Sequence, residues 1–419
     1  MFLIYSLLYT IVILLTFVPQ YRKRPKESRS RWLREKLGSV PQPGSAIWVH
    51  AVSVGEVNAS IMLLRKLRDA YPSVPVILST ITDTGQRVAK EKAPAGTTVV
   101  YLPFDTNFTL RRCLRKVRPV IFIVIETELW PNIIRFFDRC GIPVIMLNGR
   151  ISEKSARGYA KISFFMKEVF SHVTLFGMQS RTDEARLLRI GAPKDKVLVT
   201  GNFKFDMQIK REIPAWTAGM KGPIIVAGST HRGEEELIVS AFMENLPKFR
   251  ELKLILAPRH PERFSEAEAA VKAAGAPLLR RSELDRRNDR LAQFSSGVIL
   301  LDSIGELSAV YGQADIAIIG KSFIGFGGQN PLEPAFWGKA IICGPHMENF
   351  PFMEEFYHEG AAFEVEPTGL AKKIKELLID PGKAEAAGKK ARELYLKNAG
   401  AVDRAMGIIS KIMQQGGGD

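Results

Sequence analysis

The sequence predicts an α/β protein made of two parallel sheets in series. Three observations predict it. Apolar runs of strand length recur along the 419 residues, and segments with helical spacing separate them. Strands that are apolar throughout are buried on both faces, which is the condition of a parallel sheet covered by helices. The pattern lapses once, from about Asp206 to Gly222, and then restarts. A chain of this length exceeds one ordinary core, so two domains are expected. In open parallel sheets ligands bind beyond the carboxyl ends of the strands, so the loops there should carry the chemistry.

The chain opens with MFLIYSLLYTIVILLTFV, eighteen residues without a charge. That is at the short end of the roughly 17–25 residues that span a bilayer. The basic start and small-residue cleavage site of a signal peptide are absent. Between residues 21 and 36 come eight basic side chains against Glu27 and Glu35. The positive-inside rule keeps this flank cytoplasmic, and it attracts anionic headgroups at about 1 kcal/mol per Lys or Arg. A nucleic-acid patch would carry similar charge, but the adjoining apolar segment favours a membrane and no nucleic-acid partner. Residues 1–20 therefore read as a membrane anchor. The formal net charge of +15 suits a body working beside an anionic phospholipid surface. Cys113, Cys140 and Cys343 are scattered, without a CxxC or Cys/His cluster. That pattern fits a reducing compartment, and it supports neither a disulfide framework nor a metal site.

Strands are predicted at residues 47–51, 76–78, 98–101, 120–125, 144–147 and 197–200, with a helix over 56–70. These place one domain at 21–206. A linker is expected at 207–222, where Pro214 and an Ala-Gly pair interrupt the periodicity. The second domain, 223–419, has predicted strands at 223–227, 252–256, 298–301, 316–319 and 340–343. Its helices begin near Glu234, Phe264 and Glu306, and two more at 368–379 and 382–398 close the domain. The final Gly-Gly-Gly-Asp should fray.

The loops at the strand ends are rich in functional groups. The first strand leads into Ser53-Val54-Gly55-Glu56, where a carboxylate either complements a helix dipole or does chemistry. The fourth leads into Glu126-Thr127-Glu128-Leu129-Trp130-Pro131-Asn132. Two acids leaving so apolar a strand are expensive unless paired or used. Gly201-Asn202-Phe203-Lys204-Phe205-Asp206 sets one lysine between aromatics, either a functional cation or a solvated surface lysine. In the second domain Ser229 and Thr230 precede Gly233-Glu234. Pro258-Arg259-His260 offers a guanidinium at a strand end, suited to phosphate, and Ile304-Gly305-Glu306 follows another strand. Gly320 to Ala335, GKSFIGFGGQNPLEPA, gives a Gly-rich turn and then Asn330-Pro331-Leu332-Glu333. Asn at the cap, Pro at the first position and Glu three residues after the cap predict a helix start there, with free N–H groups for an anion. An ordinary tight βα turn would use the same residues. Acids in the first half and anion grips in the second suggest group transfer from a nucleotide carrier.

At these loops the chain resembles the Kdo transferases, the 3-deoxy-D-manno-octulosonic acid transferases of lipopolysaccharide synthesis. The matching segments are SVGE, ETELWPN, GNFKFD, STHRGEE, APRHPERF, IGE, GGQNPLEPA and GPHMENF, in family order across almost the whole body. The resemblance implies a GT-B arrangement of two Rossmann-like domains with sheets facing a cleft, and a body on the cytoplasmic side of the bacterial inner membrane. It implies CMP-Kdo as donor substrate, no cofactor or metal, and a lipid A precursor (tetraacyldisaccharide bisphosphate) as acceptor, with inverting transfer. By resemblance Glu56 is the proton acceptor, and Glu126, ahead of Glu128, acts with Lys204 on the transition state. Pro258 and Arg259, Ile304, Gly305 and Glu306, and Asn330, Pro331, Leu332 and Glu333 hold CMP. The chain departs from the family at Lys321, where a second glycine is expected, and at Gln329, where His is common. A GT-B transferase using a UDP-sugar, or a non-catalytic binder of lipid phosphates at the membrane surface, would share the coarser features.

Overall fold

The computed structural model describes residues 1–41, 44–207, 209, 211–284 and 294–415. The predicted fraying of the last four residues lies outside them. The chain divides into two compact units, Met1–Met207 with Ala399–Asp419 and Gln208–Asn398. Each holds a parallel sheet of seven strands among the described residues.

In the first unit the strands are β1 (Gly44–His50), β2 (Val76–Thr80), β3 (Thr97–Tyr101), β4 (Val117–Ile125), β5 (Val144–Gly149), β6 (Leu175–Met178) and β7 (Val197–Val199). Their order is β3-β2-β1-β4-β5-β6-β7. Successive side chains of a strand point to opposite faces, and here both faces are apolar. Trp48, Phe122 and Val124 pack with Phe137 and Phe170 on one side. Ile47, Val49, Ile121 and Ile123 pack with Leu63, Leu64 and Leu67 on the other. This two-sided burial is why the strands read as unbroken apolar runs. The short β6 escapes such a reading, because LFGM has only four residues and an interior glycine.

The second unit contains β8 (Ile224–Thr230), β9 (Lys253–Pro258), β10 (Leu278–Arg280), β11 (Gly297–Leu300), β12 (Ile316–Ile319), β13 (Ala340–Cys343) and β14 (Ala362–Glu364). They are ordered β10-β11-β9-β8-β12-β13-β14. The two edge strands, of three residues each, are too short to show a period, and the sequence does not predict them.

Three expectations change. The last helix, Ala401–Gln415, belongs to the first unit rather than the second. Its buried stripe of Ala401, Val402, Ala405 and Ile409 covers the β1–β4 face beside Leu63 and Leu67, and the Asp206 carboxylate accepts the N–H groups of Gly400 and Val402 at its start. The described part of the expected linker is not all loose. Trp216 fills the second core with Val226, Ile255 and Leu301, and Met220 packs against the same cluster. The helix expected from Asn330 begins instead at Leu332 and ends at Phe336, just before the chain turns at the left-handed Gly338.

The N-terminal helix, Phe2–Lys23, is long and apolar enough to cross a membrane. Its inner face is nevertheless packed on the first unit. Phe2 is buried among Phe165 and its neighbours, while Tyr9, Ile13, Phe17 and Tyr21 lie against Trp32, Tyr101 and Phe104. Leu3, Leu7, Leu14 and Leu15 on the opposite face are exposed.

At the end of β12 the chain passes so close to β8 that only glycine fits. A Cβ on Gly320 would lie 2.2 Å from the Ser229 carbonyl oxygen and 2.7 Å from the Thr230 Cα. Both are main-chain atoms that cannot rotate away. Gly320→Ala should therefore cost about 1–3 kcal/mol through overpacking. A lower denaturant midpoint by circular dichroism is the expected result, and an unchanged midpoint would contradict this packing.

Candidate active site

Strand order reverses between β1 and β4 in the first sheet and between β8 and β12 in the second. At such a point the flanking connections leave on opposite faces and open a crevice beyond the carboxyl ends of the strands. Most of the residues singled out from sequence lie in the loops beyond the carboxyl ends of strands at or near these points.

After β1 the chain turns into the helix Val54–Ala70, with Ser53 at the cap. The Ser53 hydroxyl is 3.2 Å from Glu56 Oε1, and the Val52 N–H donates to Oε2. Two donors thus hold the carboxyl group, which is only 8 % exposed. Burial pushes its pKa up to about 7; the Val52 N–H opposes that rise, and the charges of Glu126 and Glu128 add to it.

Glu126 follows β4 with φ of 61°. A left-handed backbone at a bulky non-glycine residue costs roughly 1–3 kcal/mol and persists only where its surroundings impose it. They do so here. The Glu126 N–H donates to the Leu147 carbonyl at 2.9 Å, and Thr127 exchanges hydrogen bonds with the main chain of Arg150. Burial raises the Glu126 carboxyl, while Lys204 and Arg150 pull it down. Glu128 is raised to about 7 by burial and then by Glu126. Three carboxyl groups so placed titrate as a set, since each ionisation disfavours the next.

Lys204 sits in the turn Phe203–Asp206 between two buried phenylalanines. Asn202 accepts its N–H at 3.0 Å. Burial lowers its ammonium while Glu126 supports the charge, so it is not an ordinary surface lysine. The structure therefore brings Glu56, Glu126 and Lys204 into one electrostatic group, with Glu128. It adds Arg150 and Asp183, which the motif reading passed over. Arg150 stands directly after β5, so its strand-end position was the available signal. Asp183 is hidden because it belongs to a helix start, where it accepts the Ile151 N–H at 2.9 Å.

In the second unit much of the motif chemistry is structural. The buried Glu234 carboxylate accepts N–H groups from His231 at 2.9 Å, Lys321 at 2.6 Å and Phe323 at 3.0 Å. It thereby clamps the loop after β12 to the loop after β8. Glu235 takes a two-pronged bond from Arg263 at 2.8 and 3.0 Å and a third from Thr230 at 2.8 Å. Ser229 and Lys321, at the facing strand ends, both have φ of 56°. Lys321 thus occupies a backbone state that glycine would adopt without strain, in keeping with the glycine expected there.

Pro258 ends β9, and the Arg259 N–H donates to the Thr230 carbonyl at 3.0 Å while its side chain is exposed. Ile304 is 81 % exposed and Gly305 is left-handed. Glu306 is paired with Arg281 through two bonds of 3.1 Å. The Asn330 side chain accepts the Leu332 N–H at 3.1 Å and lies 3.4 Å from Glu333. Burial raises the Glu333 carboxyl, against Asn330 and Arg259. A five-residue helix has little dipole, so side chains and loop N–H groups, rather than a helix end, are what this loop offers an anion.

A family described as "3-Deoxy-D-manno-octulosonic-acid transferase (kdotransferase)" matches residues 30–207. The 3-deoxy-D-manno-octulosonic acid transferase of Haemophilus influenzae is 35 % identical over 413 residues, covering 95 % of this chain and 93 % of that one. The chain belongs to the 3-deoxy-D-manno-octulosonic acid transferase family. The transferase of Bordetella pertussis is 32 % identical, with 88 % of each chain covered. A solved Anabaena structure, HepE in complex with UDP, superposes with a TM-score of 0.54 at 11 % identity, covering 88 % of this chain and all of that one. That likeness is one of fold. Together these place the two Rossmann-like units in the GT-B class of glycosyltransferases.

The raised Glu56 carboxyl has a consequence for stability in this Kdo transferase family member. Its folded pKa of about 7 lies above the ordinary carboxyl value of 4.5. Such a group adds stability at pH below 4.5 and loses it as pH rises through 7. Glu56→Gln should therefore raise the melting temperature relative to the native chain at pH 8, with the gain vanishing near pH 4. Equal differences at both pH values would contradict the burial assigned to Glu56.

Proposed function

We propose that the chain transfers Kdo from CMP-Kdo to a lipid A precursor, a tetraacyldisaccharide bisphosphate, in lipopolysaccharide synthesis. Family membership supports the reaction class. The observation that carries the mechanism is Glu56, a tethered, poorly exposed carboxyl with a pKa near neutrality at the β1–β4 reversal. A general base works best with a pKa near the working pH. In this reading ionised Glu56 takes the proton of the acceptor hydroxyl as its oxygen bonds to the ketosidic carbon. The bond from that carbon to the CMP phosphate breaks on the opposite side, and CMP leaves with the electron pair. One displacement gives inversion. Glu126 and Lys204, which already balance each other's charge, face the oxocarbenium-like carbon and the departing anion. The second unit is assigned the donor. Exposed Arg259 suits the phosphate, Pro258 and Ile304-Gly305-Glu306 border the nucleotide, and the Asn330–Glu333 turn offers a carboxylate to the ribose. No cofactor is assigned.

The apolar N-terminal helix and the basic residues after it support a place on the cytoplasmic face of the bacterial inner membrane. There a cationic surface meets anionic phospholipid and a bisphosphorylated acceptor.

Purified full-length protein given CMP-Kdo and the lipid acceptor should yield a Kdo-bearing lipid by mass analysis. Glu56→Gln should lower kcat by about 10²–10⁴ with CMP affinity unchanged. The native rate should climb as pH rises through about 7, because the base is the ionised form. Near-native turnover by folded Glu56→Gln would overturn the base assignment. Preference for a UDP-sugar would overturn the donor.

A further inference from the structure

The inner face of the N-terminal helix carries more polar chemistry than an anchor needs. The Tyr5 hydroxyl donates to Asp105 Oδ2 at 2.7 Å, and Tyr9 accepts the Asp105 N–H at 3.3 Å. Asp105 is completely buried. Its carboxylate also accepts the N–H groups of Asn132 at 3.1 Å and Ile133 at 2.6 Å. The Asn132 side chain is buried too, and its amide donates to Ser6 Oγ at 3.0 Å and to the Asp105 carbonyl at 2.8 Å.

Asn132 and Ile133 lie in the first turn of the helix Pro131–Arg139, whose cap residue Trp130 supplies no side-chain bond. The unmatched N–H groups of that turn need an acceptor, and Asp105, held by the N-terminal helix, provides it. The Trp130 ring meets Tyr9 edge-on at 6.2 Å. Residues 126–130 are the entire connection from β4 to this helix, and they include both Glu126 and Glu128. The strained backbone at Glu126 requires that both ends of the connection be fixed. β4 fixes one end. The other is fixed by a buried network whose outermost members are on the anchor helix.

We propose that Tyr5, Ser6 and Tyr9, acting through Asp105 and Asn132, are positioning residues for the acid-bearing turn 126–130. The docked N-terminal helix would then set the geometry of the acids as well as the place of work. What those acids do rests on the function proposed above; the mechanical link does not.

Tyr5→Phe and Tyr5→Phe/Ser6→Ala in the full-length chain test it by three measurements. Amide hydrogen exchange at residues 131–134 should quicken by about tenfold, since local opening governs exchange there. With CMP-Kdo, kcat should fall about tenfold to a hundredfold, as expected for misplaced catalytic groups, while the KM for CMP-Kdo stays within about twofold. Co-sedimentation with anionic vesicles should be unchanged. Leu8→Ala/Leu15→Ala, on the exposed face, should weaken vesicle binding and leave the exchange of 131–134 as it was. Native exchange in the double variant would overturn the link, and so would faster exchange with native kcat. Should the native protein transfer no Kdo, the function above fails, and exchange alone decides the link.

Discussion

Desolvation of the carboxyl groups of Glu56, Glu126 and Glu128 is the constraint on which the first unit depends. Removing a carboxylate from water is costly, and placing three near each other adds mutual repulsion. The structure offsets this cost without neutralising the set. The Val52 N–H and the Ser53 hydroxyl tether Glu56, while Lys204 and Arg150 act on Glu126. The result is a set in which Glu56 and Glu128 are raised to about 7 and Glu126 is raised by burial against two cations, and a pKa near the working pH is the condition for proton transfer. The strained backbone at Glu126, the Thr127–Arg150 hydrogen bonds and the capping of the next helix by Asp105 all serve to keep these acids where the sheet reverses.

The conspicuous motifs divide by purpose once their partners are known. In GNFKFD only Lys204 faces the acids; Asn202 holds the turn, Phe203 and Phe205 are core, and Asp206 caps the last helix. In the STHRGEE segment Glu234 clamps two loops and Glu235 is matched to Arg263. A motif therefore records the support of a site as fully as its chemistry. Second-unit Ser229 and Lys321 repeat the pattern of Glu126, a left-handed residue at a strand end beside a reversal of strand order. Lys321 keeps that backbone despite its side chain, because Glu234 accepts its N–H.

The N-terminal helix has two unlike faces. Its outer leucines are exposed, whereas Phe2, Tyr5, Ser6 and Tyr9 fall at the i, i+3, i+4 and i+7 positions of the side that meets the body. The segment looks uniform because its first eighteen residues carry no charged side chain, and Tyr and Ser add none. The hydroxyls acquire meaning only opposite Asp105 and Asn132, which lie about a hundred or more positions later in the chain.

Two parallel sheets, most of their strands, the apolar first helix and the loops bearing Glu56, Glu126 and Lys204 were legible in the sequence. Unbroken apolar runs, helical spacing and acids at strand ends are local signals, and local signals survive without a fold. Only the tertiary structure decided the rest. The terminal helix covers the first sheet because its stripe and the Asp206 cap fit there, which no local pattern states. Strands of three or four residues such as β6 and β14 exist through their neighbours. Arg150 and Asp183 join the site because β5 lies beside β4 and β6 in the sheet, a matter of strand order. The carboxyl groups owe their raised pKa values to burial and to one another, and both are properties of the folded chain.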